Sequence, residues 1–424
     1  MKNNIVFKTF LLIVVSIIAG TLLMIGIYAL PVDRVVSHVE ASSNLYEIGE
    51  NKVNNWVGDL RYGKIDNSTD FTMLNTAMCR EYDSLIENAM LNPRWSLSKE
   101  ATAGGNSSNI GLLFDEKNIE GVSGYSRYWH GYLLYLIPCL NFFSVGQIRV
   151  LMMVVQFSMA VILLFGIGNR LGAKYMIPYM AAILFINPIT TALNMQNADI
   201  VIIAMFFSIV IIYFNDWLVI NKRYILLFSM IGICTAFFDF LTYPVVGFAM
   251  PMFTYVLMNR DTWINSIFKI VGCAIAWGFS YAGMWLGKWV VADLLTSENV
   301  IANAISAVGV RSGVSNVDSI DLSYGNAMFV TKESFWDPVN AALCLLYTVV
   351  CAGFCLAKKE KLSVDLNRII PLLLITISFF VWVFLARNHY VTHQFLEYRS
   401  FAVVVLGFYL FIVELFNGER NEEY

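Results

Sequence analysis

Two aspartates stand four residues apart in the stretch Ile65-Asp66-Asn67-Ser68-Thr69-Asp70-Phe71-Thr72-Met73-Leu74. Turn-forming residues fill the gap between them, and helically spaced apolar residues follow through Ala77. Thr69 is the expected N-cap, which would make Asp70 the residue that opens the helix. A carboxylate held there and facing a cavity can take a proton from an attacking hydroxyl. Asp70 is therefore the expected general base, with Asp66 in support. The positive helix end favours the ionised carboxylate but lowers its basicity, so a neighbouring charge or partial desolvation would have to compensate. The same residues also suit an ordinary capped helix on a surface.

A second cluster is Arg387-Asn-His-Tyr-Val-Thr-His-Gln-Phe-Leu-Glu-Tyr-Arg399. His389 and His393 are one helical turn apart, a spacing that suits a metal ion, with Glu397 the nearest third ligand. Alternatively, Arg387, both histidines and Arg399 form a cationic pocket for a phosphate, whose oxygens match the arginine fork. Asp239 lies among aromatics in Phe237-Phe-Asp-Phe-Leu-Thr-Tyr-Pro244 and needs a partner, for which Arg387 or Arg399 is expected. Asp199 stands at the start of a helix, where the dipole favours an acid whether or not it has a further role. Arg127 and His130 flank Trp129 in the aromatic segment Tyr125-Ser-Arg-Tyr-Trp-His-Gly-Tyr132, where His130 reads first as a hydrogen-bonding residue at the interface. The cysteines form no CxxC pair, and Cys234, Cys273, Cys344, Cys351 and Cys355 fall in apolar runs as small core residues.

These groups are set in a chain of 424 residues that is 58% hydrophobic and 14% charged. A soluble domain carries roughly 25% charged residues, and apolar runs of roughly 20 residues recur here. The expected fold is an all-α polytopic membrane protein of about ten transmembrane helices. The spans are expected near residues 5–30, 148–167, 175–193, 200–214, 224–241, 244–257, 264–286, 339–356, 369–386 and 401–416. Lys2 and Lys8, Arg170 and Lys174, Lys222 and Arg223, Arg260, and Lys358, Lys359 and Lys361 fall on alternate turns, which places both termini in the cytoplasm. The organisation that follows is a first helix (1–30), a large extracytoplasmic loop (31–128), an interfacial helix with spans two to seven (129–287), a second outer segment (288–337) and three final spans with a short cytoplasmic tail (338–424). Val290, Leu294, Val300, Ile301 and Ile305 suggest that the second outer segment holds an amphipathic helix on the membrane surface. Asp66, Asp70, Arg127, His130, Asp199, Asp239 and the 387–399 cluster all fall on the outer side. Nothing in the charge distribution suggests a nucleic-acid partner.

Taken in order, these features resemble the GT-C superfamily of polyprenyl-phosphate-dependent glycosyltransferases, in particular the protein O-mannosyltransferase and aminoarabinose transferase type. The resemblance rests on one helix followed by a large loop with Asp70-Phe-Thr-Met-Leu-Asn-Thr-Ala, then on Tyr128-Trp-His-Gly-Tyr-Leu-Leu-Tyr-Leu before a short interfacial helix. Gly146-Gln-Ile-Arg149 and the run from Ala182 through Pro188 to Asp199 continue it. It covers about the first half of the chain. Members of that type usually have an acidic pair at the catalytic position, whereas here Phe71 follows Asp70 and Asp66 is the nearby second acid.

The resemblance implies a sugar donor on a polyprenyl phosphate, an envelope glycan or lipid acceptor, and a bacterial plasma membrane. Asp70 would be the base, and Arg387, Arg399 and Arg127 would stabilise the departing lipid phosphate. His130, Asp199, Asp239, His389 and His393 complete the expected substrate-binding set. One essential acid suffices for inversion by direct displacement. No cofactor is implied; a divalent cation at the histidines is the alternative. Other readings of the same layout are a lipid-linked saccharide flippase, and a polymerase or ligase of O-antigen type.

Overall fold

The computed structural model describes residues 4–46, 65–103, 108–314, 321–335, 338–357 and 364–416. The apolar run Ile5–Tyr28 forms one long helix, α1. The segment between α1 and the bundle begins with Asp33–Glu40 (α2), Asn67–Met78 (α3) and Leu85–Leu91 (α4). Strands Pro93–Leu97 (β1) and Ile119–Gly124 (β2) then pair antiparallel, with Pro93 opposite Gly124 and Trp95 opposite Val122. Asn75 fastens this ribbon to α3, because its amide donates to Trp95 O (2.8 Å) and accepts from Trp95 N (2.9 Å).

Leu133–Leu140 (α5) is too short to cross a bilayer at 1.5 Å per residue. The bundle proper follows: Val145–Arg170 (α6), Met176–Phe185 (α7), Pro188–Leu193 (α8), Met195–Val219 (α9), Arg223–Phe238 (α10), Pro244–Met258 (α11) and Trp263–Leu295 (α12). After Val300–Ser312 (α13) and Tyr324–Phe335 (α14) come Pro338–Ala357 (α15) and Leu366–Leu385 (α16). Two short helices, Arg387–Thr392 (α17) and Gln394–Glu397 (α18), lead into Ala402–Leu415 (α19). The protein is thus an all-α membrane protein apart from the small ribbon. Among the described residues, six helical stretches are long and apolar enough to span a bilayer: Ile5–Tyr28, Val145–Arg170, Met195–Phe238, Trp263–Leu295, Leu366–Leu385 and Gln394–Leu415. Met195–Phe238 holds both α9 and α10, which turn at Asn221 and Lys222 in left-handed backbone (φ 56° and 58°).

Several expected elements take a different form. The helix with the paired aspartates starts at Asn67, and its N-cap is Asp66 rather than Thr69. Asp66 Oδ1 accepts from Ser68 N (3.0 Å) and Thr69 N (3.2 Å), the N–H groups a first turn leaves unpaired. The stretch 175–193 is two helices, because Pro188 cannot donate and disfavours helical backbone before it; Asn187 sits at φ 62° instead. The expected amphipathic helix is also divided. α12 runs on to Leu295, and α13 restarts at Val300 where Asp293 Oδ1 accepts from Ile301 N (3.1 Å). Lys358, Lys359 and Lys361 lie outside the described residues.

Two cores hold the chain together. One lies inside the bundle, around Tyr179, Phe185, Phe253, Phe379 and Leu410. The other joins α1 to the segment that follows it, around Met24, Val35, Met73, Leu74, Trp129 and Leu133. α10 and α12 touch backbone to backbone at Gly232, where any Cβ would collide with the Trp277 carbonyl. Lys288 of α12 is completely buried and caps α4: its ammonium donates to Met90 O (2.8 Å), Ala89 O (3.3 Å) and Asn92 Oδ1 (3.0 Å). Lys288→Met would keep the apolar stem but leave buried acceptors unpaired, at about 1–3 kcal/mol each. The variant is expected to melt well below wild type in detergent, and an unchanged melting temperature would exclude Lys288 as the anchor of α4.

Candidate functional site

Three segments far apart in sequence meet at one end of the bundle around a small cleft of about 90 Å³. Thr69 and Thr72 of α3 form one wall, Arg311 of α13 a second, and His389, His393 and Leu396 a third. Gln196 and the loop Phe240–Thr242 form the floor, and Tyr125 and Tyr128 add aromatic faces.

The wall from α3 is set by Asp70, although Asp70 does not face the cleft. It is fully buried, and both of its oxygens are engaged. Oδ2 accepts from Arg149 Nη2 (2.9 Å), and Oδ1 accepts from Met195 N (3.1 Å), at the start of α9. Arg149 Nη2 also donates to Tyr46 OH (3.2 Å). Residues 69 and 72 share a helical face, and position 70 is turned about 100° from position 69. Pairing Asp70 inward therefore turns Thr69 and Thr72 outward, the reverse of the expected orientation. Burial pushes the Asp70 carboxyl up to about 6 against the pull of Arg149.

Asp66 is half-buried and does not itself line the cleft; it adjoins it through two residues that do. Its Oδ2 accepts from Thr69 Oγ1 (2.5 Å) and Gln196 Nε2 (3.3 Å), both on lining residues. Its backbone is clamped by Asn194, which accepts from Asp66 N (3.1 Å) and donates to Asp66 O (2.9 Å).

The cation of the cleft is Arg311. Its Nη1 donates to His389 Nδ1 (2.7 Å) and lies 3.4 Å from both ring nitrogens of His393. His389 Nε2 donates to Leu241 O (2.5 Å), which fixes the tautomer that leaves Nδ1 as an acceptor. Burial and the neighbouring guanidinium hold both rings neutral; His393 is pushed down to about 4. With one His389 nitrogen on Arg311 and the other on a carbonyl, this pair is not arranged as a metal site. Among the described residues, no group of three His, Cys, Asp or Glu side chains is arranged for a metal.

Leu241 itself has φ 67°, a conformation strained for a branched side chain. Asp239 holds this loop in place by accepting from Thr242 N (3.0 Å) and Thr242 Oγ1 (2.5 Å). Its expected arginine partner is replaced by these loop donors. Burial pushes Asp239 up to about 7, against those bonds.

The other expected site residues are dispersed. Arg399 is 1% exposed and seals the break between α7 and α8, donating to Ile186 O (3.0 Å) and Thr190 Oγ1 (3.2 Å). Arg387 opens α17 with its guanidinium 6.0 Å from the Phe384 ring, and neither arginine lines the cleft. Arg127 lies over Tyr125 and donates to Asn303 Oδ1 (2.9 Å) in a neighbouring polar cavity. His130 is buried at φ 56°; its ring lies 2.7 Å from Tyr125 O and 3.0 Å from Tyr132 OH, and burial pushes it down to about 3. Asp199 accepts from Tyr135 OH (3.0 Å) inside α9, below the cleft floor.

Arg149, Gln196 and Arg311 join the site without having been expected there. Arg149 had a legible signal, a lone cation one turn inside an apolar helix, which demands a partner. Arg311 had no comparable local signal. No known protein family, curated protein or solved structure matches this chain.

Two outcomes are expected. Asp70→Asn leaves Arg149 buried without its counter-charge and should destabilise the fold by about 3–5 kcal/mol, whereas Asp70→Leu with Arg149→Met should recover much of that loss. Equal melting of Asp70→Asn and wild type would remove the pair from its structural role. The histidines predict a pH effect. Their folded pKa values lie below the unfolded value, so the unfolded chain takes up protons first as pH falls, and their stabilisation is lost from about pH 6.5 down to about 4. Asp70 and Asp239, pushed up by burial, act with the opposite sign, so the readout is a difference between proteins. The melting advantage of wild type over His389→Gln/His393→Gln should shrink between pH 7.5 and pH 5, and a constant advantage would refute it.

Proposed function

We propose that the protein is a membrane glycosyltransferase of GT-C type that moves a sugar from a polyprenyl-phosphate donor to an envelope glycan or lipid acceptor. The observation that carries this reading is the convergence of three segments far apart in sequence on one cleft. An adjoining carboxylate, a fixed guanidinium, neutral histidines and aromatic faces come together there. Lys8, Arg170, Lys222, Arg223 and Arg260 lie at the opposite end of the bundle, a distribution that supports an outward-facing cleft.

In this reading the two aspartates exchange the roles their order suggests. Asp70 is the pin, and Asp66 beside the cleft is the general base. The acceptor hydroxyl attacks the anomeric carbon while Asp66 takes its proton. The bond from that carbon to the phosphate oxygen breaks, and the lipid phosphate leaves with the electron pair. Arg311 stabilises the charge that develops on it, held in place beforehand by His389. Tyr125, Tyr128 and Phe240 offer apolar faces to the sugar ring. Displacement from the far side inverts the anomeric centre.

The test is release of polyprenyl phosphate in proteoliposomes from a panel of polyprenyl-phosphate hexoses and aminoarabinose. Asn caps a helix as well as Asp does, so Asp66→Asn should fold and bind donor while losing two to four orders of magnitude in turnover. Arg311→Lys keeps the charge but not the fork, and should weaken donor binding. Normal turnover in Asp66→Asn would overturn the base assignment. Failure of wild type to release polyprenyl phosphate from any donor would overturn the transferase reading itself.

A further inference from the structure

At the end of the bundle remote from the cleft, α1, the last turn of α9 and the start of α10 form an open groove of about 630 Å³. Leu11, Leu12 and Val15 form one wall, and Leu226, Leu227 and Met230 the other. The charged lining residues are Lys8, one turn into α1, and Arg223, the first residue of α10; both are cationic. Among the described residues, no acidic side chain lines it. Arg223 is fixed at the groove, its guanidinium 4.4 Å from the Trp217 ring and donating to Trp217 O (3.3 Å).

We propose that this groove binds one anionic phospholipid from the leaflet at this end, with the phosphate on Lys8 and Arg223 and an acyl chain along the apolar walls. Three observations converge on that occupant. The wall from Ile5 to Val15 rises about 15 Å along α1, half of a hydrocarbon core about 30 Å thick, so its depth is that of a single leaflet. Lys8, one turn into this depth, and Arg223, at the start of α10, lie toward the end where a headgroup would sit, and the walls from Leu11 to Val15 and from Leu226 to Met230 are apolar. Trp217, 55% exposed, lies beside Arg223 at the level where tryptophan favours the interface. Basic pockets between helices are a recurrent form of anionic headgroup recognition. The inference does not rest on the transferase reading.

The test is native mass spectrometry of the full-length protein with phosphatidylglycerol and phosphatidylcholine of identical chains. Two interfacial cations at about 1 kcal/mol each correspond to at most a roughly thirtyfold preference for phosphatidylglycerol. Lys8→Gln/Arg223→Gln should bring the two lipids to near parity, whereas Arg170→Gln/Arg260→Gln, at the same end but outside the groove, should keep the preference. Leu11→Trp, which fills the groove without changing charge, should reduce retention of both lipids. Brominated phosphatidylglycerol should quench a fluorescence component that Trp217→Phe removes. Equal binding of the two lipids by wild type, or a preference that survives the groove substitutions, would overturn the proposal. So would quenching that is unchanged in Trp217→Phe.

Discussion

The buried ion pair between Asp70 and Arg149 sets the geometry on which the cleft end of the protein depends. Both charges lie out of water, which costs several kcal/mol per ion unless attraction and hydrogen bonds return it. The structure returns it with a direct bond at 2.9 Å, the Met195 N–H and the Tyr46 hydroxyl. Arg149 Nε is left buried without a partner, but both Asp70 oxygens are engaged, and these bonds hold α3 in one rotation over α6 and α9. From that rotation follow the threonines turned to the cleft, Asp66 beside it, and the ribbon that Asn75 attaches to the helix.

The bilayer sets a second constraint, since backbone groups cut loose at membrane depth have no water to turn to. α7 ends early because of Pro188, and Arg399 reaches the exposed carbonyl of Ile186. α4 ends against the bundle, and Lys288 reaches its carbonyls. These side chains are cations, and they are occupied in closing breaks. Arg311, from α13, faces no such break and points into the cleft instead.

Around Arg311 the cleft is polar without being highly charged. Its histidines are neutral, and one of them holds the guanidinium in position while bonded to the strained loop at Leu241. A preorganised cation in a partly enclosed site is worth more than the same cation in water, because little reorganisation remains when an anion arrives. Strain at Leu241 persists because Asp239 and His389 both hold that loop.

The sequence by itself determined the class of protein, because long apolar runs have no alternative to helices in a bilayer. Local composition also picked out Asp66 and Asp70 and the histidine pair within a few residues, whereas the break before α13 was not legible and one continuous helix was expected there. The partners of these residues could not be read in the same way. Asp70 meets Arg149 across 79 positions, and Arg311 meets His389 across 78, distances at which no periodicity or spacing rule operates. The direction in which each side chain points was likewise a tertiary decision. Asp70 turned inward because Arg149 offered a bond that the open cleft did not, and Arg399 was drawn from the site because a broken helix left a carbonyl that only a long cation could reach.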